Sequence, residues 1–247
     1  MSLKQQTFDF IGGGAPATAS RGTGPAQAKT PRAPRPDESY PFESPPDDPL
    51  SSCTDMDSLA GEVRKCQMCG LRAGCSGVVF GEGNPAAKVL LVGEGPGAEE
   101  DRLLRPFVGA AGHLLDKILE ACGFSRFEHV YIANVIKCRP PGNRTPEPEE
   151  RQACWPNLRA QIGLIRPRII VLLGATALQT LLDPNGRITR MRGHWAERNG
   201  LWFMPTYHPA ALLRNPSLKK DCWEDFKQVW HKYRELIDSR HSSPHLP

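Results

Sequence analysis

The chain has 247 residues, 39% of them hydrophobic and 23% charged, with 24 prolines and 23 glycines; this fits one sizeable α/β domain or two small ones, with loosely packed sequence attached. Its net charge of +4 is uneven: residues 1–50 hold five basic and six acidic side chains, leaving 26 basic against 21 acidic beyond them, so the opening segment is no basic arm for a polyanion. No run approaches the roughly 18 apolar residues of a membrane span, the start MSLKQQTFDF lacks the features of a signal peptide, and eight cysteines without such a signal point to reduced thiols in the cytoplasm.

Residues 1–55 carry nine prolines, the run Gly12-Gly13-Gly14 and almost no apolar periodicity, and read as a disordered leader. Within it, Gln5-Gln6-Thr7-Phe8-Asp9-Phe10 places bulky apolar residues third and fifth after a glutamine. That spacing resembles the extended peptides that bacterial replication and repair proteins dock into the sliding clamp, which makes the clamp an expected partner. From Lys88 onward strands and helices alternate. Lys88 to Glu94 is a short apolar run closed by glycine turns, a buried strand. Ala111, Leu114, Leu115, Ile118, Leu119 and Cys122 share one helical face. His129 to Lys137 reads as a second strand, and Glu147 to Leu164, opened by prolines and acidic residues, as a helix. Arg168 to Gly174 is a third strand, Ala175 to Leu182 a short helix and Leu201 to Tyr207 a fourth strand. Ser217 is the expected cap of a final helix that buries Leu218, Cys222, Phe226, Val229, Trp230 and Tyr233. The alternation predicts a three-layer α/β/α sandwich over residues 56–238, with a central four-stranded parallel sheet and a disordered tail at 239–247.

In such sheets ligands bind outside the carboxyl ends of the strands. Strand one ends in Gly93-Glu94-Gly95-Pro96-Gly97, strand two carries Asn134 and then Cys138, strand three runs into Gly174-Ala175-Thr176-Ala177, and strand four into Tyr207-His208-Pro209. One edge thus offers a carboxylate, an amide, an imidazole and glycine-relaxed loops.

Those residues resemble the successive motifs of family 4 uracil-DNA glycosylases: Gly93 to Gly97 with Glu100-Asp101, Arg105-Pro106-Phe107-Val108-Gly109, Asn134-Val135-Ile136-Lys137-Cys138-Arg139-Pro140-Pro141, and His208-Pro209-Ala210. The resemblance runs from about Cys66 to Trp230. It implies an enzyme that flips uracil out of DNA, reads it in a tight pocket and hydrolyses its N-glycosidic bond without a lyase step. Phe107 would stack on the pyrimidine, and Gly95 would line its site. Asn134 would pair with O4 and N3–H, a pattern that cytosine reverses. His208 would donate to O2 as the uracil anion departs, and Glu94 would hold the attacking water. Family 1 relatives place an aspartate where Gly95 stands, which favours Glu94, although Glu100 could share or take over the role. Residues 138–160 contain no histidine to trap the sugar, and no motif lysine is given a catalytic role, so hydrolytic turnover is expected.

The family places cluster ligands at positions matching Cys66, Cys69, Cys138 and Cys154, which implies a structural [4Fe–4S] cluster; spacing alone would also allow zinc. Cys75 lies near the first pair, Cys122 and Cys222 fit helix faces, and Cys53 belongs to the leader. Leu212, Leu213 and Arg214 are candidates to wedge into the gap left by the flipped base, and Arg139 and Arg144 to contact phosphates. A monomer is expected. Rival readings are a non-catalytic iron–sulfur sensor of damaged DNA and a glycosylase with broader substrates. A nucleotide-binding protein fits worse, since the glycines after strand one match no P-loop and no Lys-Ser/Thr pair follows.

Overall fold

A computed structural model describes residues 40–247, so the Gln5–Phe10 peptide lies outside the described residues. Six strands form one sheet: β1 (Glu82–Gly83), β2 (Val89–Gly93), β3 (Val130–Asn134), β4 (Ile169–Leu173), β5 (Ala196–Arg198) and β6 (Leu201–Thr206). Their order is β1-β3-β2-β4-β6-β5. The four central strands pair in parallel, as expected. The expected count of four misses β1 and β5, which add short antiparallel edges.

The parallel strands are apolar because both of their faces are covered, and successive side chains point to opposite faces. Leu90, Val92, Ala133, Ile170, Leu172 and Phe203 join one core. Val89, Leu91, Ile132, Val171, Leu173 and Met204 join the other. Eight helices supply the outer layers: α1 (Met56–Val63), α2 (Ala98–Leu103), α3 (Ala110–Ala121), α4 (Pro148–Ile165), α5 (Ala175–Leu181), α6 (Ile188–Met191), α7 (Pro209–Arg214) and α8 (Lys219–Leu236). Leu158 and Ile162 of α4 and Leu59 and Val63 of α1 cover the first face. Leu115 and Ile118 of α3 and Phe226, Val229 and Trp230 of α8 cover the second. No helix among the described residues is long and apolar enough to cross a membrane.

Three expectations at the margins are corrected. Residues 40–55, assigned to the leader, pack on α4: the Tyr40 hydroxyl donates to the Pro167 carbonyl at 3.2 Å, Phe42 meets the Trp155 ring edge-on at 5.9 Å, and Asp48 pairs with Arg159 at 2.5 Å. The 239–247 tail is also held. His241 is buried, stacks on Phe124 at 4.7 Å and sits 3.0 Å from the Cys122 carbonyl, while Ser243 donates to the Ala121 carbonyl at 2.7 Å. Ser217 does not cap the last helix; it lies in a short 3-10 turn, Pro216–Leu218, whose cap is the Asn215 side chain, accepting from the Ser217 amide at 3.2 Å.

Candidate active site

The carboxyl ends of β2, β3, β4 and β6 open into a cavity of about 430 Å³, lined by Glu94, Gly95, Phe107, Asn134, Tyr207, His208 and Arg214 among others. Four loops that are distant in sequence meet there because the parallel strands end at one edge.

Asn134 is the last residue of β3 and 2% exposed, and its Oδ1 is buried without a hydrogen-bond partner. An orphaned buried acceptor costs roughly 1–3 kcal/mol, so its place at a cavity wall marks a position for a donor. Gly93 makes room for it. A methyl group at residue 93 would lie 2.5 Å from Asn134 Oδ1 and 2.6 Å from the Phe107 ring.

Phe107 lies in the left-handed region (φ 51°), sparsely populated for a residue with a side chain, and its ring is 5.5 Å from that of His208. Two charged side chains hold this backbone. Arg126 donates to the carbonyls of Pro106 at 2.9 Å and Phe107 at 2.7 Å, and is itself paired with Glu82 and Asp116 at 3.0 Å each. Glu100 accepts from the amides of Gly97 at 3.1 Å, Val108 at 2.9 Å and Gly109 at 2.8 Å. Both oxygens of Glu100 are thus taken by backbone amides, so this carboxylate organises the loop. Arg126 was missed in the sequence, since its partners lie 10 to 44 residues away.

Glu94 follows β2, its carbonyl accepting from the Ile136 amide at 3.1 Å. Its Oε2 accepts a short hydrogen bond from the Thr176 hydroxyl. His208 sits at the N-cap of α7, where Nδ1 accepts from the Ala210 amide at 3.1 Å. The ring proton of the neutral form is therefore on Nε2. Burial lowers the His208 pKa to about 4; Arg214 lowers it further and Glu100 opposes this, so near neutral pH the ring is an uncharged donor.

The DNA-contact candidates divide. Leu212 is buried in the core, whereas Leu213 is 46% exposed and is the side chain that can reach a partner. Arg144 and Arg214 line the cavity, Arg144 being paired with Glu150 at 2.6 Å. Arg139 is turned to Asn143 Oδ1 at 2.7 Å and is absent from the wall.

Cys66, Cys69, Cys138 and Cys154 line a second, narrow cavity. Asn157 Nδ2 lies 3.8 Å from the Cys66 sulfur and 3.7 Å from that of Cys154. Cys75 does not line this cavity; its thiol faces the Gly77 carbonyl at 3.4 Å. Cys122 and Cys222 are buried in the core as expected, and Cys53 packs against it from residues assigned to the leader. Among the described residues no three histidine, cysteine or carboxylate side chains converge as they would on a single ion. A [4Fe–4S] cube bonds each sulfur to a separate iron corner and so spaces its ligands more widely.

Lys137, passed over in the sequence, lies between the two cavities. It is 1% exposed, and its ammonium donates to the Asn134 carbonyl at 2.8 Å and to Gln161 Oε1 at 2.5 Å. Burial lowers its pKa to about 8, with Cys154 opposing the shift. No carboxylate pairs with it among the described residues, and it does not line the larger cavity.

Comparison with known proteins places this geometry. The family model described as the uracil DNA glycosylase superfamily matches residues 80–231. A type-4 uracil-DNA glycosylase of Thermotoga maritima is 48% identical over 180 residues, covering 70% of this chain and 92% of that protein. One of Sulfurisphaera tokodaii is 44% identical, covering 70% and 83%. A type-5 uracil-DNA glycosylase of Thermus thermophilus is 34% identical, covering 53% and 68%.

Proposed function

Since the chain belongs to the uracil DNA glycosylase superfamily and is a uracil-DNA glycosylase, we propose that it is monofunctional: it flips uracil out of DNA, hydrolyses the N-glycosidic bond and leaves an abasic site for base excision repair. The observation that carries this reading is the orphaned Oδ1 of Asn134, an acceptor at the cavity wall that uracil N3–H would satisfy. The amide nitrogen would then donate to O4. Cytosine, with an acceptor at N3 and an amino group at C4, would leave both groups mismatched.

Phe107 stacks on the base. As the C1′–N1 bond breaks, its electron pair leaves on uracil N1 and spreads to O2, where His208 Nε2–H donates. An uncharged imidazole suits this task, since it stabilises the anion without giving up its proton. Glu94 holds the water whose oxygen bonds to C1′ and receives its proton, and its charge steadies the electron-poor sugar. The uracil anion then takes up a proton from solvent. The Lys137 ammonium is held by the Asn134 carbonyl and Gln161 and does not line the larger cavity, which agrees with turnover that has no Schiff-base step.

Cys66, Cys69, Cys138 and Cys154 fit a [4Fe–4S] cluster on the chemistry of their surroundings. A buried ammonium without a carboxylate is costly, and four metal-bound thiolates supply its counter-charge. When bound, the cluster contributes negative charge and fixed iron–sulfur bonds that tie residues 66–69 to 138–154.

The test is a labelled oligonucleotide bearing one uracil, run beside the same oligonucleotide with thymine and treated afterwards with alkali. Cutting at uracil only, and only after alkali, is the expected result. Cutting before alkali would overturn the monofunctional reading, and tight binding without cutting would make the protein a sensor.

A further inference from the structure

Thr176 is the second residue of α5, just beyond the end of β4, and the reading above gives it no task. Three observations converge on it. It is 4% exposed at the floor of the edge on which Glu94 stands, so its hydroxyl has little access to water. That hydroxyl donates to Glu94 Oε2 across 82 residues of sequence, while Oε1 has no partner among the described residues and Glu94 lines the cavity. Finally, the Thr176 backbone is fixed from both sides. Its carbonyl accepts from the Thr180 hydroxyl at 2.8 Å, and the preceding Gly174 amide donates to the Thr206 carbonyl at 2.9 Å.

A hydroxyl carries one proton, and a carboxylate accepts but does not donate. With that proton committed to Oε2, the Glu94 carboxylate is held in one rotamer, and its other oxygen is left for water. Hydrogen bonds to a charged group are worth more than neutral ones, and here the donor is buried and built into the sheet edge, so reorientation costs little during reaction. We propose that Thr176 is a positioning residue for the Glu94 carboxylate: it fixes the group so that its other oxygen faces the attacking water. The proposal rests on Glu94 being the water-holding group, and the experiment separates the two.

The variants are Thr176→Val, which keeps the branched shape and removes the donor, Thr176→Ser, which keeps the donor, Glu94→Gln, and the double variant Glu94→Gln/Thr176→Val. Each is assayed on the single-uracil oligonucleotide across pH 4.5–8.5, after thermal unfolding has established that it folds. Thr176→Val is expected to lower kcat by roughly tenfold with KM within about twofold, the scale of one lost bond to a charged group. Thr176→Ser is expected to recover most of kcat, and adding Thr176→Val to Glu94→Gln to cost nothing further. A tenfold loss that persists in the Glu94→Gln background, or one unrelieved by serine, would make Thr176 a packing residue and overturn the proposal. Wild-type kcat in Thr176→Val, with Glu94→Gln inactive, would overturn it while leaving Glu94 in place. An active Glu94→Gln would bring down the reading of Glu94 itself, and the proposal with it.

Discussion

The cavity that Asn134 faces and the narrow one that Cys138 faces begin four residues apart on one stretch of chain, yet they are furnished differently. The first is about 430 Å³ and carries an acceptor left unsatisfied, a carboxylate with one oxygen unpartnered and an uncharged imidazole. The second is walled by Leu71, Val78 and Ile136 and gathers sulfurs, with a buried ammonium beside them. The first is arranged for a guest that arrives and leaves, and its polar groups therefore cost stability. The second suits a resident group, and the proposed cluster would balance its polar groups. Lys137 links the two, since its ammonium holds the carbonyl of Asn134, the residue proposed to read the base.

The contrast predicts that substitutions in the two regions change different observables. The largest effect falls on chemistry: Glu94→Gln is expected to lower kcat/KM by about 10²–10⁴-fold with an almost unchanged Tm. Steady-state cleavage and calorimetry on the same sample would show it, and a matching fall in Tm would blur the division. Next comes Cys154→Ser. It should reduce bound iron and leave Lys137 without its counter-charge, costing about 3–5 kcal/mol, or roughly 10 °C in Tm for a chain of this size. Iron analysis and thermal unfolding would test this, and full iron with an unshifted Tm would dismiss the quartet as a ligand set.

A third prediction concerns pH and runs through His208. Its pKa in the folded chain is about 4, below the unfolded value near 6.5, so the unfolded chain binds more protons between those values. Its contribution to stability is whole above pH 6.5 and falls on acidification by about 1.4 kcal/mol per unit until about pH 4. Urea unfolding at pH 7 and pH 5 would measure the slope, which His208→Gln should flatten; an equal slope in the variant would assign it elsewhere. Phe107→Ala is expected to weaken binding of uracil-DNA by about 1–3 kcal/mol, seen as a raised KM. Smallest is Arg214→Ala, expected to reduce the slope of log affinity against log salt by about one if the side chain meets a phosphate.

The sheet was legible because its strands are continuous apolar runs bounded by glycines, and the helices because their apolar faces repeat every three to four residues. The edge strands were not. Glu82–Gly83 and Ala196–Arg198 are two and three residues long and not buried, too short for any period to register. Composition misled at both margins, since prolines and serines around Tyr40, Phe42 and His241 hide the aromatic rings that dock those segments. At the candidate site the residues that would meet the base were readable from motif order. The residues that aim them were not. Arg126, Thr176 and Lys137 act through bonds to carbonyls and side chains that only the fold brings near. The burial of Leu212 beside the exposed Leu213 was equally hidden, because it depends on how the short α7 packs against α3.

The bare backbone at Gly93 has a consequence for inhibition. A uracil mimic seated between Asn134 and Phe107 would rest on main chain there, and the smallest change available, to alanine, places a methyl within 2.6 Å of both groups proposed to read the base. Resistance by substitution at that point would destroy recognition of the substrate together with that of the drug. The floor of this pocket is thus a surface that an escaping mutant has no means of altering while remaining an enzyme.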